Sequence, residues 1–191
     1  MTALLVVGVV SGCGIYPPPA IPDVVSKQIY EAGHPVALVT FAPGMSSGKI
    51  MGIVRGWPFP KLERHEGIPG GTFTFVGDFK VTTRSPEDAM PNSAAGARKV
   101  YFRESEAPSS FDADSLSRGQ PVAIDALSMT FAFKSNPQAI TVRINARQIS
   151  AQRFTYQSET IAPPRERNTS ELLGGQYNPE YNGFVLYTIT D

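Results

Sequence analysis

From Thr72 to Thr83 apolar and polar positions alternate, with Phe73, Phe75, Gly77, Phe79 and Val81 on one side and Thr74, Val76, Asp78, Lys80 and Thr82 on the other. A strand turns successive side chains to opposite faces, so this period of two predicts a half-buried β-strand with one wet face. Gly77 interrupts the apolar face, where a missing side chain marks a bulge or the close approach of another backbone. The alternation returns with Leu127, Met129, Phe131 and Phe133 against Ser128, Thr130 and Ala132. Lys134-Ser135-Asn136-Pro137-Gln138 then reads as a turn, and Ile140, Val142, Ile144 and Ala146 resume the buried face. The even-numbered phase continues through Gln148, Ser150 and Gln152 to Phe154 and Tyr156. A single strand of that length would reach about 55 Å, far beyond the usual five or six residues. The pattern therefore predicts either a bend between sheets near residues 148–152 or a projecting ribbon.

Residues 36–41 and 184–189 are apolar on both faces, as are the shorter 50–54 and 100–102. Such strands sit centrally or beneath a second layer. One helix is expected, from Asp23 as N-cap through Val25, Ile29 and Ala32 on one face to Gly33. Ser85-Pro86-Glu87-Asp88 opens like a helix, but Pro91 leaves room for a turn or two. The expected class is all-β, an antiparallel sandwich or barrel with one short N-terminal helix.

Composition agrees, because 17 glycines and 17 prolines divide runs rich in β-branched and aromatic residues into short strands and turns. Charge is balanced at 17 basic and 17 acidic residues, with the signs interspersed. Nucleic-acid binding needs a basic stripe, and this distribution offers none. Only one cysteine, Cys13, is present, so no disulfide can form within the chain.

That cysteine ends a distinctive stretch. An uncharged apolar run over residues 3–10 leads into Val10-Ser11-Gly12-Cys13. A secretory signal uses an apolar segment of about 7–15 residues followed by small ones, whereas a spanning helix needs about 18 or more. Val10-Ser11-Gly12-Cys13 resembles the bacterial lipoprotein signal, in which an aliphatic and two small residues precede an invariant cysteine. The resemblance covers residues 1–13 only and departs from the pattern in having no Lys or Arg before Lys27. It implies that Cys13 becomes the mature N-terminus and carries acyl chains. Gly14, rather than Asp, after that cysteine implies export to the outer membrane. The following Gly14-Ile15-Tyr16-Pro17-Pro18-Pro19-Ala20-Ile21-Pro22 reads as a stiff extended tether, about 25–30 Å long in the polyproline conformation. The expected organisation is a signal over residues 1–12, lipidated Cys13 and tether over 13–22, and one β-rich domain over 23–191.

Motifs that carry chemistry are sparse. Residues 42–49 are similar to a phosphate loop, but the glycine spacing is short, Ile50 stands where Ser or Thr is needed, and a strand follows instead of a helix. A glycine-rich connection between strands is the better reading. Gly56-Trp57 is similar to the Gly-x-Trp of lipocalins, but the spacing differs and Pro58 and Pro60 follow, which favours a plug or core tryptophan. His34 and His65 are the only imidazoles, and His65 sits in the charged run Glu63-Arg64-His65-Glu66 without a nucleophile elbow anywhere. Asp112 and Asp114 mimic a calcium loop, yet Leu116 and Ser117 occupy positions that need a ligand and a glycine. Helix capping before Gly119 accounts for them better. Asn168-Thr169-Ser170 fits a glycosylation sequon, of little weight in a chain with a bacterial-type signal.

No catalytic residue, metal ligand or cofactor is expected. The leading expectation is a membrane-anchored extracytoplasmic lipoprotein acting as a noncatalytic binding, assembly or scaffolding module in the cell envelope. Its partners are the membrane, through the lipid, and an envelope or surface protein, taken up by exposed edge strands and the long ribbon. A second expectation is a small hydrophobic-ligand carrier with a lipocalin-like barrel lined by Phe73, Phe75, Phe79, Phe131, Phe133 and Tyr156. It requires a cavity of about 300 Å³ or more where those side chains meet. A third, a hydrolase or cyclase, requires His34 or His65 to meet carboxylates in a cleft.

Overall fold

A computed structural model describes residues 36–54, 71–104, 111–134, 138–163 and 166–189. The alternating segments form strands β1 (Ala37–Phe41), β2 (Ser47–Ile53), β3 (Thr72–Arg84), β4 (Pro91–Arg103), β5 (Gln120–Lys134), β6 (Ala139–Ala151), β7 (Phe154–Tyr156), β8 (Glu159–Ile161), β9 (Asn168–Asn178) and β10 (Gly183–Thr188). Eight of them close into an antiparallel barrel, each pairing with its neighbour along the chain, and β10 returns to pair with β1. Strands β7 and β8 stand apart as a hairpin between β6 and β9. Of the two all-β architectures expected, the barrel is the one formed. The helix expected over residues 23–33 lies outside the described residues, as do Cys13, the proline run, Trp57, His34 and His65.

Closure corrects the expected edge strands. Leu38 pairs with Val185 on one side and Met51 on the other, so the short apolar strands are internal members of the sheet. Within the described barrel every strand has two neighbours, and pairing of a partner with an open edge loses its basis there.

Strands apolar on both faces do sit under a second layer. Leu38, Met51 and Val185 project from the outside of the wall and pack with Leu116 of a short helix, α1 (Ala113–Leu116). Asp112 caps that helix, its carboxylate accepting from the Asp114 and Ser115 backbone N–H groups, as the capping reading expects. Thr74 Oγ1 donates to Leu116 O at 2.5 Å, which fixes the helix end to β3. Elsewhere the wall is wet: Lys80, Lys99, Ser128, Thr130, Arg143, Asn145 and Arg147 are exposed. A membrane barrel carries an outward apolar band about 25 Å tall, and the outer face of β3–β6 carries these charged and hydroxyl side chains instead.

Of the two outcomes expected for the long phase from Ile140 to Tyr156, the bend between sheets near residues 148–152 is the one formed, and it begins at a bulge. Ile124 pairs with Ser150 and Asp125 with Gln148, so Ile149 is the extra residue and is 55% exposed. β6 ends at Ala151, and the chain turns back as the β7–β8 hairpin. Gln157 and Ser158 both have positive φ, the arrangement of a tight two-residue hairpin turn. The side-chain amide of Gln120 donates to Thr155 O and accepts from Thr155 N, 3.0 and 2.9 Å, copying a rung of sheet pairing and holding the hairpin to β5.

Candidate functional site

The six aromatic side chains expected to line a cavity all sit on inward-facing positions of one continuous core, where ring contacts draw them into two groups. Phe79, Phe131 and Phe133 pack with Phe41 and Phe184, in edge and tilted contacts with centroids 5.4–6.4 Å apart. Phe73 and Tyr156 pack with Phe102 and Phe154 in a separate cluster. Phe75 lies between the two, its ring beneath the Arg98 guanidinium at 4.6 Å. Burying a side chain of this size contributes about 1.5–3 kcal/mol, so the two clusters act as adhesive plugs toward either end of the barrel.

Between them runs a belt of charge that the aromatic pattern conceals. Gly77, Arg98, Asp125 and Gln148 are register partners across β3, β4, β5 and β6, and Gln148 N donates to Arg167 O at 2.8 Å. A Cβ at Gly77 would lie 2.8 Å from Arg98 Cβ, so the glycine makes room for the arginine. This is the close approach expected at that position. Arg98 Nε donates to Asp125 Oδ2 at 2.9 Å, and Arg167 Nη2 donates to the same oxygen at 2.6 Å. Glu171, in phase with inward Leu173 on β9, stands 3.9 Å from Arg98 Nη1, an ion pair without a hydrogen bond.

The electrostatics are lopsided. Arg98 and Asp125 are 1% and 0% exposed, whereas the Glu171 side chain retains 25%. Burial pushes the Glu171 carboxyl above its ordinary range, against the pull of Arg98 and Arg167. Burial likewise lowers Arg167, opposed by Asp125. Arg98 Nη1 and Nη2, Asp125 Oδ1 and Thr169 Oγ1 are buried atoms with no hydrogen-bond partner. Buried polar groups are nearly always paired, so this concentration marks the place in the described structure where a ligand or water would be held.

None of these four ionic residues is conspicuous by type, but two break phase rules legible in the sequence. Arg98 falls in register with Ala94, Gly96, Val100 and Phe102, and Asp125 with Leu127, Met129 and Phe131. A charge on the apolar face of a strand was the available signal. Asp112, by contrast, is spent on capping, with Asp114 in the first turn of the helix, and no group of three or more metal-ligating side chains occurs among the described residues.

An open concavity lies on the outside of the barrel. Thr40, Ser47, Lys49, Asp78, Lys80 and Ala95 of β1–β4, with Tyr181 and Asn182 of the β9–β10 turn, border an open groove of about 640 Å³. Lys49 Nζ and Asp78 Oδ1 form an exposed ion pair across it at 3.5 Å. Residues 42–49, similar in sequence to a phosphate loop, form a 3-10 turn (Pro43–Met45) leading straight into β2, with Gly44 at φ 73°. The glycine serves the turn. No family model, curated protein or solved structure gives a significant match to this chain.

Proposed function

We propose that this chain is an extracytoplasmic lipoprotein, held to the outer membrane through acylated Cys13 and the proline-rich tether, whose barrel is a noncatalytic binding module of the cell envelope. The observation that carries the reading is the polarity of the wall. Charged and hydroxyl side chains stud the outside of β3–β6 while aromatic side chains and a belt of buried charge face the inside, so this side of the barrel suits water and membrane attachment falls to the tether. The open groove over β1–β4 is the surface offered to an envelope protein, since a closed barrel presents side chains rather than strand edges.

Photo-crosslinking in cells tests the binding role. A crosslinker at Ala95, in the groove, should trap a discrete partner, and one at Asn145, on the exposed outer face of β6, should not. Equal trapping at both positions, or at neither, would count against the groove.

The belt of buried charge favours a second reading, a small-ligand carrier. Arg98 shifts it from a purely hydrophobic ligand toward an acidic one, because a buried guanidinium with free donors selects a carboxylate.

A further inference from the structure

The unpaired end of Arg98 is shaped for a particular chemistry. Its Nε is tied to Asp125 Oδ2, and the ring of Phe75 lies against its face at 4.6 Å, which together fix the plane of the guanidinium. Nη1 and Nη2 then present two donors side by side with no acceptor in hydrogen-bond range. Planar carboxylates accept two such bonds at once, a match that the point charge of a lysine cannot reproduce.

Glu171 of β9 stands at this end of Arg98, 3.9 Å from Nη1. That strand pairs with β6 from Asn168 onward and with β10 from Leu173, with one further bond beyond that pairing, from Ile189 N to Leu172 O at 3.3 Å. Thr169 and Glu171 occupy the inward phase of this strand, and Glu171 is the partly exposed member of the belt. The two aromatic clusters flank the belt on either side, so the acid inferred for it is a small one.

We propose that Arg98 anchors an interior binding site for a small monocarboxylate, which takes Nη1 and Nη2 as a two-point donor in place of Glu171. The charge count adds a condition. Arg98, entering from β4, and Arg167, ahead of β9, face Asp125 from β5 and Glu171 from β9; the residue paired with Glu171 on β6 is apolar Ile144. Two cations and two carboxylates balance, so an added anion is accommodated when Glu171 takes up a proton. Burial already favours that proton. The inference rests on the carrier reading and narrows its ligand.

Trifluoroacetate is the probe, observed by fluorine NMR line broadening with the full-length protein and displaced by acetate. Binding should be at least tenfold tighter at pH 5.5 than at pH 7.5, and inorganic phosphate at matched ionic strength should not displace the probe. Glu171→Gln, which mimics the protonated acid, should bind at both pH values with the pH dependence gone. Arg98→Lys should weaken binding tenfold or more. Unchanged binding in Arg98→Lys, a wild-type pH dependence in Glu171→Gln, displacement by phosphate equal to that by acetate, or no broadening at any pH would each overturn the proposal. Uptake of an uncharged apolar ligand with no response to acetate would keep the carrier reading and reject this site.

Discussion

Arg98 and Asp125 face each other as register partners on β4 and β5, joined by a hydrogen bond of 2.9 Å from Nε to Oδ2 with both side chains buried. Asp125 also accepts from Arg167, so one carboxylate compensates two guanidinium groups in the barrel interior. Removing one partner from a buried ion pair strands the other charges, typically at about 3–5 kcal/mol. Asp125→Ala should therefore destabilise the barrel by about that amount in a urea titration. A midpoint within error of the wild type would mean that the belt is hydrated and contributes little.

How much of this was legible depends on how local the cause is. β3, β5 and β6 follow from alternation, because the side-chain period is a property of the strand itself. Asp112 was readable as a cap for the same reason, its partners Asp114 and Ser115 lying within three positions. Closure was not readable, since it depends on β10 returning to β1, Leu38 to Val185, a pairing across most of the chain. The ionic belt was half legible. Arg98 and Asp125 each sit out of character in an apolar phase, but they are 27 positions apart, and nothing local states that the two would meet. The bend near residues 148–152 was legible from the sheer length of the even phase, but its form, a bulge at Ile149, was not, because Ser150 and Gln152 carry that phase onward in sequence after the backbone has abandoned it.

The pH dependence of stability has a sign fixed by Glu171. Its folded carboxyl holds a proton more tightly than the unfolded one, so its contribution is greatest below the unfolded value, near pH 4.3, and is lost as pH rises through the folded value. Asp88 and Asp112 shift the other way, held down by hydrogen bonds from Met90 N and from Ser115, so their contributions fade only below the ordinary carboxylate range. As pH falls from 7.5 toward the unfolded value near 4.3, the wild type should therefore gain stability relative to Glu171→Gln, measured as the difference in urea midpoints. A difference that is flat, or opposite in sign, contradicts the burial of that carboxyl.

Gly77 leaves no room for a side chain. A Cβ there would lie 2.7 Å from Ala97 O and 2.8 Å from Arg98 Cβ, and the first of these is backbone that cannot swing aside. Gly77→Val should destabilise by about 1–3 kcal/mol despite its better strand propensity. A stabilised variant would show that β3 and β4 are farther apart at this point.

Gln120 holds the β7–β8 hairpin by imitating the backbone. Gln120→Ala removes both bonds to Thr155 and should speed amide hydrogen exchange over residues 154–161 while leaving β4 and β5 protected. Phe154→Ala, which deletes the ring packed on Phe102 at 4.6 Å, should cost about 3–5 kcal/mol and affect the barrel as a whole. If both variants behave alike, the amide rung and the aromatic plug are not separable contributions.

The proposed membrane attachment through Cys13, of a barrel polar over β3–β6, is tested most directly by metabolic labelling with an alkyne fatty acid, combined with fractionation, in cells making the full chain or its Cys13→Ala variant. The expected result is label and membrane association for the intact chain, and neither for the variant. Equal labelling of both, or a variant that stays in the membrane fraction after an alkaline wash, would contradict it.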